Sequence, residues 1–261
     1  MVMQGGSKRV VSRWILGMRV DATSYDDVTQ QVVRWARAGV SRYVCVANVH
    51  MTMEAYDEHE FRRIVNCADL VVPDGMPLVW VLRKLGLSGQ QRVYGPELMV
   101  RVCEAAAQEG LPIGLYGGTH ETVASLVTNL TTRFPALRVA YAYSPPFRPL
   151  NPEEDARVVD AINSSGTRIL FVGLGCPKQE RWMATHKGKV QAVMLGVGAA
   201  FDFHAGRVPQ APPWMQRVGL EWFFRLLVEP RRLWRRYLKH NPRFVILVMM
   251  QLLGLRRFEE V

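Results

Sequence analysis

The sequence predicts an α/β fold: a mostly parallel sheet flanked by helices, followed by a C-terminal α-helical appendage. Short apolar, β-branched runs alternate with amphipathic stretches of helical period through most of the chain. Several of these runs end in turn-forming residues, at Pro73-Asp74-Gly75, Gly117-Gly118-Thr119 and Gly173-Leu174-Gly175. After Gly206 the alternation stops, and basic, aromatic segments of helical period replace it.

Taken in order, the strand candidates are Tyr43–Ala47, Leu70–Val72, Ile113–Tyr116, Arg138–Tyr141, Ile169–Val172 and Ala192–Leu195. Each is short, apolar and bounded, as a strand covered on both faces should be. Helices are expected over Ser24–Ala38, Pro96–Glu109, Thr119–Phe134 and Pro152–Ser164. Asn151 should cap the last of these, with Pro152 in the first position and Glu153 and Glu154 in the first turn. Gln210-Ala211-Pro212-Pro213-Trp214 then breaks the pattern, and two helices follow, Trp214–Val228 and Arg231–Leu253, divided at Glu229-Pro230. The division is residues 1–206 as the α/β part and 207–261 as the appendage.

The chain has 261 residues, of which 49% are hydrophobic and 21% charged, enough to bury a large core. Its net charge is +10, and from Arg207 onward eleven Lys/Arg face four Asp/Glu, so most of the excess lies in the appendage. Such a tail suits an anionic membrane surface, an anionic substrate or nucleic acid. The four cysteines, Cys45, Cys67, Cys103 and Cys176, form no CxxC pair and sit in apolar surroundings, as expected of reduced thiols in a cytosolic protein without a zinc site. Met1 to Val11 lacks the apolar core of a signal peptide, and Phe244 to Leu255 is too short to span a bilayer.

In open α/β sheets ligands bind at the carboxyl ends of strands, and Asp74 falls at such an end. By residue type alone it reads equally as an Asp-Gly turn or as a carboxylate at a site. Asn48 and His50, after the first strand candidate, read as a helix cap and a surface histidine or as site neighbours. Arg92 precedes a Pro-initiated helix. Gly173-Leu174-Gly175-Cys176-Pro177-Lys178 starts like a dinucleotide fingerprint, but Lys178 stands in place of the third glycine. Its glycines and the following helix could still hold a phosphate, with Lys178 and Gln179 beside it. Phosphate-loop, nucleophile-elbow and zinc-helix motifs are absent from the sequence.

These segments together resemble the WecG/TagA/CpsF family of bacterial glycosyltransferases, over roughly Val20 to Arg243. The marks are Asn48, Ala68-Asp69-Leu70-Val71-Val72-Pro73-Asp74-Gly75, Arg92-Val93-Tyr94-Gly95-Pro96-Glu97-Leu98, Tyr116-Gly117-Gly118 and Gly173 through Glu180. Gly196-Val197-Gly198-Ala199-Ala200-Phe201-Asp202 and Gly219-Leu220-Glu221-Trp222 continue the series. The resemblance implies a Rossmann-like sheet and an inverting transfer of a sugar from a UDP-sugar donor to a polyprenyl-diphosphate-linked saccharide acceptor. It implies no metal and no cofactor. It gives Asp74 the role of general base and places Asn48, Arg92 and Gln179 in the site. The family often carries threonine two residues before the asparagine, where this chain has Val46.

In this frame Gly117, Gly118, Gly175 and Lys178 are candidates to hold the UDP portion. Arg207, Arg225, Arg231 and Arg232 are the appendage arginines that could reach the site. An Asp-x-Asp metal motif is missing from the sequence, so arginines, Lys178 and helix amino ends would carry the leaving-group charge. Arg231, Arg232, Arg235, Arg236, Lys239 and Arg243 are interleaved with Leu233, Trp234, Tyr237, Leu238 and Phe244, a pattern suited to a membrane interface. The expected location is cytoplasmic, peripherally associated with the inner face of the cell membrane, with homo-oligomers possible. The rival readings are a nucleotide-cofactor oxidoreductase, opposed by the broken glycine fingerprints, and a nucleic-acid-binding module, opposed by the aromatic interleaving of the basic tail.

Overall fold

The computed structural model describes residues 10–258. Most of the segment read for a signal-peptide core, and the outer ends of the two-part division, lie outside the described residues. The chain opens with a hairpin, β1 (Ser12–Ile15) and β2 (Met18–Asp21), which the sequence reading did not assign. Its two-residue turn, Leu16-Gly17, has φ of 53° and 83°, the left-handed pair that matches strand twist in a tight hairpin. The hairpin docks through Asp21, whose Oδ2 accepts the Val71 amide at 2.8 Å.

The elements that follow are α1 (Tyr25–Arg37), β3 (Arg42–Ala47), α2 (Val49–Asp57), α3 (His59–Asn66), β4 (Leu70–Pro73), α4 (Met76–Lys84) and α5 (Gly95–Gln108). Next come β5 (Ile113–Gly117), α6 (His120–Arg133), β6 (Val139–Tyr143), α7 (Pro152–Ser164), β7 (Ile169–Gly173), α8 (Lys178–His186), β8 (Val193–Gly196) and α9 (Ala200–His204). All six anticipated strands and all four anticipated helices of this part are present, within a residue or two at most ends. Asn151 caps α7 in a reciprocal box with Glu154, its Oδ1 accepting the Glu154 amide at 2.8 Å.

The six strands β3 to β8 form one parallel sheet in the order β4-β3-β8-β7-β5-β6. Successive side chains alternate between two cores. Tyr43, Cys45 and Ala47 of β3 face the layer holding α2, α3, α4 and α8. Val44 and Val46 face the layer holding α1, α5 and α6. Both faces are covered, which is why the strands read as unbroken apolar runs in the sequence.

The appendage comprises α10 (Pro213–Arg217), α11 (Glu221–Val228) and α12 (Pro230–Leu252). The single helix expected over Trp214–Val228 is two, because Gly219 adopts φ +76°, a left-handed conformation that ends the first helix. The second expected helix, α12, is continuous through Pro242. Its carboxyl half packs on the α/β core: Phe244, Leu247 and Val248 are buried in the α2 layer. Each buried apolar side chain contributes on the order of 2 kcal/mol. Gln251 closes the contact, donating to the Trp14 carbonyl at 2.7 Å and accepting the Leu16 amide at 2.9 Å. Arg243 makes a two-pronged pair with Asp57 at 2.6 and 2.9 Å.

Candidate active site

A cavity of about 950 Å³ opens at the carboxyl ends of β4, β3, β8 and β7, four neighbouring strands. Residues of α11 and α12, with the turn at 218–220 that precedes α11, form its other wall. The strands end in short loops whose backbones are tied down. The Asp74 amide donates to the Ala47 carbonyl at 2.8 Å, and the Val93 amide donates to the Pro73 carbonyl at 2.9 Å. Strand β4 therefore delivers Asp74 to the cavity on a fixed backbone.

Asp74 Oδ1 accepts the Gly95 amide at 3.0 Å and lies 3.5 Å from Arg92 Nη2. Arg92 also donates through Nε to the Asp74 carbonyl. Its Nη2 reaches Glu221 of α11 at 2.6 Å, and its guanidinium stacks 4.1 Å from the centre of the Tyr94 ring. The three side chains form a carboxylate–guanidinium–carboxylate chain, each about one-seventh exposed. Burial pushes the Asp74 carboxyl above its ordinary range, with Glu221 adding to the rise; Arg92, the Gly95 amide and Arg225 oppose it.

Asn48 lies on the cavity wall and also caps α2, its Oδ1 accepting the Met51 amide at 3.2 Å. The cap fixes the side chain's oxygen. Gly75 packs closely on it: a Cβ there would lie 3.5 Å from Asn48 Cα. Gln179, in the first turn of α8, is held at both ends. Its Oε1 accepts the Gly175 amide at 3.2 Å, and its Nε2 donates to Glu180 Oε1 at 2.7 Å. Glu180 is fully buried, and burial raises its carboxyl to about 7 against the hydrogen bonds from Gln179 and its own helix amide and from the Cys176 thiol.

The anticipated site residues separate into two groups. Asp74, Asn48, Arg92, Gln179, Gly175, Arg225 and Arg232 share the cavity. Lys178 is exposed at the start of α8, and Arg207 and Arg231 are exposed away from the cavity wall. Arg207 acts at longer range: with Arg232 and Arg225 it lowers the carboxyl of Asp202, which burial raises. Gly117 and Gly118 also lie off this cavity. Gly117, at φ +127°, allows β5 to approach β7, since a Cβ there would meet the Gly173 backbone at 2.5 Å. Gly173 in turn accommodates the Phe201 ring, so this glycine of the broken fingerprint is used in packing. Val46, two residues before Asn48, lines the cavity, and a Cβ at Gly95 would meet its Cγ1 at 3.1 Å.

The sequence reading did not single out Glu221, Tyr94 or Glu180 as site residues. All three lay inside segments that carried the family resemblance. A lone acid at the start of a basic, aromatic helix was the available signal for Glu221.

A parallel α/β sheet with a cleft at its strand ends, holding a shielded carboxylate beside arginines, has the form of an α/β enzyme. The chain belongs to the WecG/TagA/CpsF family of glycosyl transferases, whose family description matches residues 13–258. It is 31% identical over 208 residues to the N-acetylglucosaminyldiphosphoundecaprenol N-acetyl-beta-D-mannosaminyltransferase of Bacillus spizizenii, covering 79% of this chain and 78% of that one. The protein of the same name from Bacillus subtilis is 26% identical over 213 residues, covering 81% of this chain and 80% of that one. This protein is therefore a glycosyltransferase.

Proposed function

We propose that the protein transfers a sugar of the N-acetylmannosamine type, or a related hexose, from a UDP-sugar to a polyprenyl-diphosphate-linked saccharide, with inversion and without a metal, in cell-surface polysaccharide synthesis. The names of the two Bacillus relatives support this choice of sugar and acceptor. The observation that carries the mechanism is Asp74, a carboxylate on a rigid strand end inside the cavity, with its ionised form disfavoured by burial. In the reaction the acceptor hydroxyl gives its proton to Asp74 while its oxygen attacks the anomeric carbon. The bond from that carbon to the phosphate oxygen breaks, and UDP leaves with the electron pair. A base raised toward the working pH takes the proton more readily than an ordinary aspartate.

Asn48, Arg92 and Gln179 orient the substrates. Arg225 and Arg232 on the opposite wall lie where they can meet diphosphate charge as it develops. The carboxylates Asp74 and Glu221 are already bridged by Arg92, so a guanidinium stands between them where a cation would, which favours a metal-free reaction at this point. Residues 207–261 act as the membrane-facing part. Trp222, Phe223, Leu227, Trp234 and Leu238 are 41 to 67% exposed and stand among the arginines of α11 and α12. That mixture suits peripheral attachment to the inner membrane face. Among the described residues no helix is long and apolar enough to cross a membrane.

The test is incubation of the chain with UDP-N-acetylmannosamine and a short-chain lipid-linked N-acetylglucosamine in excess chelator. The expected product is the inverted disaccharide lipid. Transfer that appears only on adding magnesium or manganese would contradict the metal-free route.

A further inference from the structure

Apart from the Asp74 chain, one other set of ligating side chains converges beside the cavity among the described residues: His50, Glu54 and His240. His50 and Glu54 are one turn apart on α2 and so share a face. His240 crosses to them from α12 and is buried. His50 Nε2 lies 3.5 Å from Glu54 Oε1, and His240 Nε2 lies 3.4 Å from the same oxygen. One ligand atom from each residue lies within 4.8 Å of the others.

These separations are long for charge-assisted hydrogen bonds. They match another geometry. Two ligands about 2.1 Å from one tetrahedral zinc ion stand about 3.4 Å apart. Without a cation, the Nε2 atoms of both imidazoles face the same carboxylate oxygen at more than hydrogen-bond length for a charged pair. A cation at the centre would instead take a lone pair from each of the three residues.

We propose that His50, Glu54 and His240 form a binding site for a divalent transition metal, zinc by its ligand set, that fastens α12 to α2. The two histidines also line the cavity, so the fourth coordination position faces it. Arg236 lies near His50 and opposes a cation, which favours an anion in that position. Lys239 and Arg243 lie close as well, but both are engaged by Asp57. The site is separate from the proton transfer at Asp74. Its role is to hold the appendage against the α/β core, so metal binding is read independently of activity.

The experiment uses the tag-free full chain, stripped with chelator and titrated with zinc, and with cobalt as a spectroscopic substitute. One equivalent of each should bind. Cobalt should show the visible absorption of a four-coordinate ion, and zinc should raise the melting temperature by several degrees. His240→Gln and His50→Gln should each weaken zinc binding at least tenfold and abolish the cobalt band, with unchanged far-ultraviolet circular dichroism. His50 is only partly buried, so its variant serves should His240→Gln fail to fold. Absence of saturable zinc binding to the wild-type chain overturns the proposal. So does an equal rise in melting temperature in wild type and His50→Gln.

Discussion

Arg92 and Glu221 are 129 residues apart in the sequence, and Arg92 Nη2 lies 2.6 Å from Glu221 Oε2. The pair joins the loop between α4 and α5, whose Arg92 also faces Asp74 after β4, to the first turn of α11 in the basic tail. It is only about one-seventh exposed, and the same guanidinium nitrogen faces Asp74 at 3.5 Å. The position of the appendage is thus linked to the charge state of the carboxylate assigned to catalysis.

Opposite shifts are expected from the two ends of this link. Glu221→Gln removes an anion that raises the Asp74 pKa and leaves Arg92 to Asp74 alone. The acid limb of kcat/KM against pH should move to lower pH, with kcat/KM at neutral pH reduced about tenfold to a hundredfold. Arg92→Gln leaves two shielded carboxylates unpaired. The acid limb should move to higher pH and stability should fall by about 3–5 kcal/mol. Parallel pH–rate profiles and thermal melts check both, and shifts in the same direction would break the three-residue chain.

Asp74 should also cost stability. Its folded pKa is raised, so the folded protein holds this proton more tightly than the unfolded chain does. The stability it contributes is complete below the ordinary carboxylate range and is lost as pH rises through the folded value. Asp74→Asn keeps an oxygen for the Gly95 amide and removes the charge. At about pH 7.5 the variant should melt at or above wild type, and the gap should close as pH falls toward the ordinary carboxylate range. Transfer should drop by about 10²–10⁴. A variant that melts well below wild type at neutral pH would mean that the carboxylate is a structural anchor.

The sheet was legible in the sequence because its strands are covered on both faces. Runs such as Ile169–Gly173 and Val193–Gly196 are continuous, bounded and β-branched or apolar, and nothing competes with the strand reading. The β1–β2 hairpin was not legible: each strand is four residues long, and only Gly17 marks its turn. Asp74, Asn48 and Gln179 could be placed because residues just after parallel strands meet at one edge of the sheet. Arg92 could be named only through the family resemblance. Glu221 could not, since its partner is chosen by how α11 folds back across the cavity. Gly117 and Gly118 show the limit of the glycine signal. A backbone that must approach a ligand and one that must approach its own fold need the same residue, and here Gly117 meets β7 while Gly118 meets Thr122 and Phe201.

Glu180 offers a second test of pH against stability. Burial raises its carboxyl to about 7 from an ordinary value of 4.5. Its contribution is complete below the unfolded value and disappears as pH rises through about 7. Wild-type stability should therefore decline between about pH 5 and 8, by up to roughly 3 kcal/mol from this group. Glu180→Gln still offers an oxygen to Gln179 Nε2 and should flatten that decline in melts taken across the range. An unchanged slope would assign the titration elsewhere.

The break between α10 and α11 should be as sensitive as the charge chain. Gly219 holds φ +76°, where any other residue carries about 1–2 kcal/mol of backbone strain. A Cβ at this position would also meet Trp80 of α4 at 2.7 Å. Trp80 is 46% exposed, so its ring can yield, which keeps the steric cost at the low end of over-packing. Gly219→Ala should lose about 2 kcal/mol and melt about 4–8 °C lower. Because Glu221 follows two residues later, its reach to Arg92 should suffer, and kcat/KM should fall further than a purely global loss of stability explains. Trp80→Ala in the Gly219→Ala background should recover the steric share. A coupling above about 0.5 kcal/mol in this double-mutant cycle is the expected reading, and simple additivity would show that the ring does not restrain the turn.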